Sequence, residues 1–130
     1  MKKLTLLLFI LMTVPAFAQT TAIPDANFEQ ALIDLGHDTG TPDGQVLTAN
    51  ISGVGYLDVS MDSISDLTGI QDFTALTHLS CEYNQLTSLD VTQNTALYWL
   101  YCNSNQLTSL DVTQNTALYW LYCNSNQLTS

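Results

Sequence analysis

Basic residues are almost absent from this 130-residue chain. Lys2 and Lys3 are its only Lys or Arg side chains, against twelve Asp and Glu, so the formal net charge is −10 and would be −12 without these two lysines. A surface without cations cannot neutralise phosphates, so anionic membrane surfaces are poor partners and we expect no binding of nucleic acid. Cationic ligands, divalent metals and neutral polymers remain open. So does the simpler interpretation that the acidic charge keeps a secreted protein soluble.

The motifs of known catalytic sites are also missing. The sequence contains no G-x-S-x-G, no H-E-x-x-H and no phosphate-binding loop. His37 lies in a loop-type segment, and His78 has no Cys or Ser partner in the pattern. Nothing places two carboxylates across a cleft, as glycoside hydrolysis requires. We therefore predict that the chain is not an enzyme, with no catalytic residues, no metal site and no cofactor.

No apolar run is long enough to span a bilayer. Two lysines precede the apolar segment 4–14, and the small-residue site 16–18 follows it. This arrangement predicts a secretory signal peptide over 1–18, cleaved before Gln19, with an uncleaved N-terminal anchor as the alternative. No Cys comes directly after the apolar run, which argues against a lipid anchor. We expect a secreted or cell-surface protein with no membrane insertion after signal cleavage.

What the chain does contain is an internal repeat. The stretch 86–106, LTSLDVTQNTALYWLYCNSNQ, recurs without change at 107–127. The pattern L-x-x-L-x-L-x-x-N-x-L fits four times, starting at Val54, Leu76, Leu97 and Leu118. Self-similarity at a period of 21–22 residues is typical of a solenoid, in which each repeat packs only on its neighbours. The last copy stops at Ser130 without a terminal cap, so we expect the chain to be part of a longer protein.

The segment before the repeats predicts an N-terminal cap over 19–53. Its first part, IPDANFEQALIDLG, reads as an amphipathic helix at about 25–35, with Asp25 as the N-cap and Gly36 just beyond the end. The apolar stripe of this helix consists of Phe28, Leu32 and Leu35. A helix this short is marginal alone, so we expect it to pack on the first repeat.

A Gly/Pro/Asp-rich loop over 37–45 and a lead-in strand at Val46–Ile51 complete the predicted cap. Asp38 and Asp43 in the loop suggest calcium, but their spacing does not match an EF-hand, and we favour an ordinary solvated turn.

These motifs make the chain resemble a leucine-rich-repeat protein of the short-repeat, internalin-like type. The segments IPDANFEQALIDLG, DLTGIQDFTALTHL and LTSLDVTQNTAL are similar to extracellular repeat proteins of Gram-negative bacteria. The resemblance implies an α/β leucine-rich-repeat solenoid over 54–130, with a parallel β-sheet on its concave face, a mostly irregular or 3-10 convex side and a short capping helix. It also implies a longer secreted or surface protein, often with a C-terminal sorting domain.

Period-2 alternation within each repeat predicts which side chains point inward. Three inward positions are occupied by Cys81, Cys102 and Cys123. A secreted protein with three Cys suggests a disulfide and one leftover thiol. However, Val59 fills the same position in the first repeat, so we predict buried free thiols.

Asparagines end the strands of the last three repeats, at Asn84, Asn105 and Asn126. A buried amide there must satisfy its own hydrogen bonds, so we expect it to bond the turn and bridge to the neighbouring repeat. On the outer side, Asp90 and Asp111 would face each other one layer apart. A bridging calcium is conceivable, and solvated carboxylates are the interpretation we favour.

The outward positions of the strands carry the functional prediction. The candidate ligand-binding residues on the concave face are Tyr56, His78, Trp99, Tyr101, Trp120, Tyr122, Asn103 and Asn124. Flat aromatic rings beside amides suit stacking on sugar rings or gripping an extended peptide. The competing interpretation is that these rings only stabilise neighbouring strands.

We therefore predict an extracellular recognition or adhesion module that binds a protein or carbohydrate on this face. The alternative function is a passive spacer that displays a downstream domain.

Overall fold

The computed structural model describes residues 18–129. The predicted signal peptide, 1–18, lies outside the described residues apart from Ala18. In chain order the elements are β1 (Thr20–Ala22), α1 (Ala26–Asp34), β2 (Gln45–Leu47), α2 (Thr48–Ile51), β3 (Tyr56–Asp58), a 3-10 turn (Ile70–Asp72), β4 (His78–Ser80), β5 (Trp99–Tyr101) and β6 (Trp120–Tyr122).

The four repeats stack into one parallel sheet in the order β3-β4-β5-β6. Equivalent residues pair directly, as Leu79 pairs with Leu100 and Leu100 with Leu121. Each repeat therefore forms one layer. Equivalent side chains form columns that run across the strands, and neighbouring members of a column are about 4.8 Å apart. The return paths are irregular except for the 3-10 turn of the first repeat. The predicted leucine-rich-repeat solenoid is confirmed.

The core lies behind this sheet, where the inward columns meet. Leu57, Leu79 and Leu100 are fully buried beneath three of the strands, while Leu121 in the last layer is 40% exposed. The cysteines share this gradient, because Cys81 and Cys102 are buried and Cys123 is half-buried. All three are free thiols, as predicted.

The strand-ending asparagines form the predicted ladder. Asn105 donates from Nδ2 to the carbonyls of Cys81 (3.0 Å) and Cys102 (3.2 Å), and its Oδ1 accepts from the Leu86 amide at 3.0 Å. Asn84 and Asn126 make the equivalent bonds in their layers. Each amide thus joins two consecutive repeats and satisfies backbone groups in a turn that would otherwise be unpaired.

A second asparagine ladder, which the sequence reading missed, runs through the return paths. Asn94 is fully buried and donates to the carbonyls of Ile70 (2.9 Å) and Phe73 (3.1 Å). Asn115 donates in the same way to the carbonyls of Val91 and Asn94, both at 2.9 Å. The strand side and the return path of the second and third repeats are therefore both tied to the layer before them.

The N-terminal helix begins and ends as predicted, but its apolar stripe is shorter. Asp25 caps α1 by accepting from the Asn27 and Phe28 amides, and Gly36 (φ 81) ends it. The amide of His37 bonds the Leu32 carbonyl at 2.8 Å, which completes a Schellman motif. The prediction that Leu35 packs inward is wrong: this residue is the C-cap and 47% exposed, because the chain already turns away there.

The predicted lead-in strand is correct only in its first part. Backbone pairing of β2 with β1 is antiparallel and ends at Leu47, so this strand belongs to a separate two-stranded sheet. Thr48–Ile51 then forms the helical turn α2, whose Ile51 is fully buried. The prediction of one continuous strand is wrong in its second part, because a short apolar stretch is equally compatible with a strand and with a helix.

Polar bonds and one aromatic pair fix the cap on the first repeat. The rings of Phe28 and Phe73 stack with centroids 6.3 Å apart. The second oxygen of Asp25 accepts from the amide (2.8 Å) and hydroxyl (2.8 Å) of Ser65 and from the Asp66 amide (3.0 Å). The Thr21 hydroxyl donates to Asp72 at 2.6 Å.

The loop between α1 and β2 is held by a buried carboxylate. Glu29 is 1% exposed, and its two oxygens accept from the Asp43 and Gly44 amides at 2.7 and 2.8 Å. Asp43 therefore contributes a backbone amide to the fold. Within residues 18–129, no helix is both long enough and apolar enough to cross a membrane.

Candidate ligand-binding face

The outward positions of β3 to β6 form a continuous surface, which we call the strand face. Strand pairing sets one column through Tyr56, His78, Trp99 and Trp120. The same register sets a second column through Asp58, Ser80, Tyr101 and Tyr122. The aromatic positions predicted from the sequence are therefore neighbours across strands, on the side of the sheet away from the core.

Ring geometry shows that these side chains pack on one another. Tyr101 and Tyr122 stack at a centroid distance of 4.8 Å with planes 17° apart, and Trp120 lies 6.5 Å from Tyr122 at 13°. His78 meets Trp99 edge-on at 4.2 Å. Contacts of this kind stabilise the sheet by about 0.5–1.5 kcal/mol per pair, so the rings contribute to stability as well as forming a surface.

Four of the predicted residues line one shallow groove of about 250 Å³: Trp99, Tyr101, Trp120 and Tyr122. Tyr56 stands at the edge of the face, 63% exposed and 6.1 Å from the His78 ring. Asn103 and Asn124 lie beyond the strand ends, and the Asn103 carbonyl accepts from the Tyr83 amide at 3.2 Å. The structure thus brings four rings together and leaves Tyr56 and the two amides at the periphery.

Two further tyrosines widen the aromatic surface beyond the prediction. Tyr98 and Tyr119 stack with centroids 5.5 Å apart and planes 8° apart, and Tyr119 meets Trp120 edge-on at 5.3 Å. Tyr98 comes directly before β5, and its side chain is 40% exposed.

The backbone explains this exposure. The amides of Tyr98 and Trp99 both donate to the Thr77 carbonyl, so the chain kinks before β5 and alternation begins only at Trp99. Tyr119 and Trp120 repeat this arrangement on the Tyr98 carbonyl. The identical kink in consecutive repeats was not readable from side-chain periodicity.

Two polar atoms of the strand face are buried without a hydrogen-bond partner among residues 18–129. They are Nε1 of Trp99 and Oε2 of Glu82. Glu82 follows the β4 strand in the outward column of Ser60, Asn103 and Asn124, and its backbone carbonyl accepts from the Met61 amide at 3.1 Å. It is an acidic residue of the strand face, one layer before the first of the two strands whose rings line the groove.

The cysteine column has the chemistry of core residues. Burial raises the pKa of the Cys102 thiol to about 12, with a smaller contribution from Cys123, and it raises the pKa of Cys81 well above its ordinary range. A thiol in this state is protonated at neutral pH and is a poor nucleophile.

The paired aspartates of the return path hold their own turns. Asp90 and Asp111 face each other one layer apart, as expected, and their backbones pair in an isolated parallel bridge. Each accepts from the hydroxyl and amide of the threonine two residues on, Thr92 and Thr113, which lowers the pKa of both carboxyls. No cluster of three His, Cys, Asp or Glu side chains suitable for a metal occurs in the part of the chain that the structure describes.

Comparison with known proteins places this fold. A stretch of 39 residues is 54% identical to Internalin J of Listeria monocytogenes serotype 4b, which is 30% of this chain and 4% of that protein. The structure of the functional domain of InlJ from Listeria monocytogenes matches with a TM-score of 0.78 and 38% identity, over 87% of this chain and 26% of that one. That domain includes a cysteine ladder. In this chain Cys81, Cys102 and Cys123 form a column of free thiols in consecutive layers. No family model matches the chain.

A second solved structure supports the fold alone. The internalin InlF of Listeria monocytogenes matches with a TM-score of 0.77 and 22% identity, over 84% of this chain and 32% of that one. The stacked repeats define a leucine-rich-repeat solenoid. Together with the InlJ matches, they make the chain an internalin-like leucine-rich-repeat protein. The chain spans about a quarter of the InlJ domain, so the binding properties of whole internalins are proposals for it.

Proposed function

We propose that the chain is an extracellular recognition module that binds its ligand, a protein or a carbohydrate, on the strand face. The observation that supports this most directly is the open groove in which Trp99, Tyr101, Trp120 and Tyr122 meet. Aromatic rings in such a groove offer a large apolar area with few rotatable bonds, which is the composition of many binding surfaces. The export prediction from the N-terminal sequence and the internalin-like fold agree with an extracellular role.

The two tryptophans of the chain both lie on the strand face, which makes binding directly observable. A ligand in the groove should change tryptophan fluorescence, and the double variant Trp99→Ala/Trp120→Ala should bind at least tenfold more weakly. Because this variant has no tryptophan, its binding and that of the unmodified protein are compared by isothermal titration calorimetry against a panel of host proteins and glycans. Circular dichroism shows whether the variant folds.

The control variant replaces two exposed apolar residues of the cap, Leu35→Ala/Leu47→Ala, neither of which belongs to the strand face. Its binding should equal that of the unmodified protein. If a folded Trp99→Ala/Trp120→Ala variant binds its ligand unchanged, the strand face is not the site. If no protein or glycan in the panel binds, the spacer interpretation is favoured. We predict no catalysis, and this prediction needs a separate activity assay.

A further inference from the structure

Resting on that proposed function, we infer that the partner on the strand face is a polypeptide segment carrying Lys or Arg side chains. The basic groups would lie over the Trp and Tyr rings and beside Glu82. This inference commits to one class of ligand where the aromatic groove alone admits two.

Charge complementarity is the first argument. No Lys or Arg follows Lys3 in the sequence, so none of the twelve carboxylates has a permanently cationic partner within residues 18–129. On most proteins such charges are neutralised partly by neighbouring side chains. Here any neutralising cation must come from outside the chain, and an anionic ligand would be repelled.

Glu82 places one of these negative charges on the strand face, one layer before the rings of Trp99 and Tyr101. Its strand face column continues into Asn103 of the next repeat, the layer that carries Trp99 and Tyr101. One of its carboxylate oxygens is buried and accepts no hydrogen bond from residues 18–129. A carboxylate that is partly desolvated and uncompensated attracts a cation more strongly than one that is fully in water. Asp58 adds a second negative charge to the same face, in the column of Tyr101.

The aromatic rings supply the complementary half of the site. The faces of Trp and Tyr carry the negative end of a ring quadrupole and attract ammonium and guanidinium groups within about 6 Å. Trp120 and Tyr122 present nearly parallel planes, 13° apart, at the exposed end of the face. A guanidinium group can stack on such a plane while its stem covers the neighbouring ring.

A chain molecule fits the dimensions better than a single cation. The four strands span about 14 Å at the usual strand spacing, a length that four or five extended residues cover. In an extended segment alternate side chains point the same way, so alternate basic residues would all face the rings. A neutral glycan would stack on the same rings but would leave Glu82 and Asp58 without a role.

The test uses the full chain and two peptides that differ only in charge. The probe is an eight-residue peptide alternating Arg and Ser with blocked termini, and its match has citrulline in place of each Arg. Titration followed by tryptophan fluorescence should show at least tenfold tighter binding of the Arg peptide at low salt. The difference should shrink at 0.5 M salt, where charge is screened.

A pair of single substitutions separates the site from the overall negative charge. Glu82→Gln keeps the side-chain size and should weaken Arg-peptide binding roughly fivefold. Asp111→Asn also removes one charge, but at a turn of the return path, and should change binding less than twofold. Asp58→Asn serves as a second strand face variant should Glu82→Gln alter the circular dichroism spectrum.

The outcomes distinguish this inference from the proposed function. Equal binding of both peptides, or equal effects of Glu82→Gln and Asp111→Asn, would overturn the preference for a basic polypeptide. A neutral hexasaccharide that changes tryptophan fluorescence while the Arg peptide does not would also overturn it and leave strand face recognition intact. Fluorescence that responds to no probe, including the proteins and glycans of the panel, counts against both.

Discussion

The buried asparagines show how single side chains hold one repeat to the next. Asn94 has no exposed surface, and its amide nitrogen bonds two carbonyls of the preceding repeat. Only a donor serves there, because both partners are acceptors. The same polar residue that looks out of place in a core therefore performs the work of a backbone hydrogen bond between layers.

Replacing that donor with an acceptor should be costly. We expect Asn94→Asp to lower the free energy of unfolding by about 3 kcal/mol, because a carboxylate would be buried against two carbonyl oxygens. The measurement is urea denaturation at pH 7. Gln93→Glu, the same chemical change at the exposed neighbouring residue, should shift the midpoint little. Equal losses in the two variants would contradict the importance of the Asn94 donor.

At the scale of elements, the junction between α1 and the first repeat depends on one carboxylate. Burial by itself would raise the pKa of Asp25, but hydrogen bonds from Ser65, Phe28 and Asp66 outweigh it and hold the pKa below its ordinary value of 3.8. A carboxyl with a lowered pKa stabilises the fold above the unfolded pKa. That contribution disappears as the pH falls through the folded pKa.

Asp25→Asn should therefore destabilise the protein in a pH-dependent way. The amide oxygen can still cap α1, but the amide nitrogen cannot accept from Ser65 and Asp66, so we expect a loss of about 1 kcal/mol at pH 7. The difference from the unmodified protein should shrink as the pH falls below 3.8 and through the lowered pKa of Asp25, because the native carboxyl then becomes neutral like the amide. Thermal unfolding between pH 2.5 and 7 measures this. Asp34→Asn, at the other end of the same helix, should show no such loss.

The cap also requires a glycine at one point where it packs on the first repeat. Gly69 has φ 109, and a Cβ there would lie 2.2 Å from Ile23 Cδ1 and 2.8 Å from the Ala22 carbonyl oxygen. Gly69→Ala should cost about 2 kcal/mol or more, from the backbone conformation and the clash together. Gly36→Ala has a similarly positive φ with open space around it, so it measures the conformational cost alone. A calorimetric comparison that gave equal losses would mean that Ile23 moves aside freely.

Sequence patterns predicted the elements that repeat better than those that occur once. The strands β4 to β6 follow from spacing, because a column of Leu residues can be buried in only one register. The helical turn at Thr48–Ile51 and the exposure of Leu35 depend on contacts that occur once and have no period. The contribution of Tyr98 to the aromatic surface was not predicted, because its position is set by two amides sharing the Thr77 carbonyl, a backbone feature with no residue signature.

The same reasoning applies to the candidate site. The two ring columns were predictable from alternation, since the outward parity of a strand is fixed once its inward leucines are known. Which rings would share a groove was not, because that depends on rotamers and on the tilt between layers. Glu82 was not predicted as a site residue, because the burial of its carboxylate oxygen is visible only in three dimensions.

At the scale of the whole molecule, stability should vary with the number of layers. Because each repeat contacts only its neighbours, the free energy of a solenoid is close to a sum over layers and interfaces. Deleting 86–106 removes one complete layer and leaves every remaining contact in register, since 107–127 has the same sequence.

That deletion variant should therefore fold with the same type of circular dichroism spectrum and unfold at lower urea, with a smaller m-value. Deleting only 86–95 shifts the strand positions against the asparagine ladders and should abolish cooperative unfolding. Cooperative, native-like unfolding of this half-repeat deletion would contradict the layered account. The whole-repeat deletion also removes one Trp–Tyr pair, so ligand binding should weaken in parallel.

Because 86–106 and 107–127 have the same sequence, two segments of the chain can compete for the same position during folding. A layer already formed around β4 meets the same leucines, cysteine and asparagine whether β5 or β6 arrives beside it. Side-chain contacts do not distinguish β5 from β6, and pairing of β6 with β4 would leave one whole repeat as an unpaired loop. Only chain connectivity separates these outcomes, because the shorter loop to β5 closes at a lower entropic cost. Correct assembly of this protein therefore depends on the order of the segments along the chain. The N-terminal cap packs on the first repeat only, so it defines the end of the solenoid at which the stacking of layers begins.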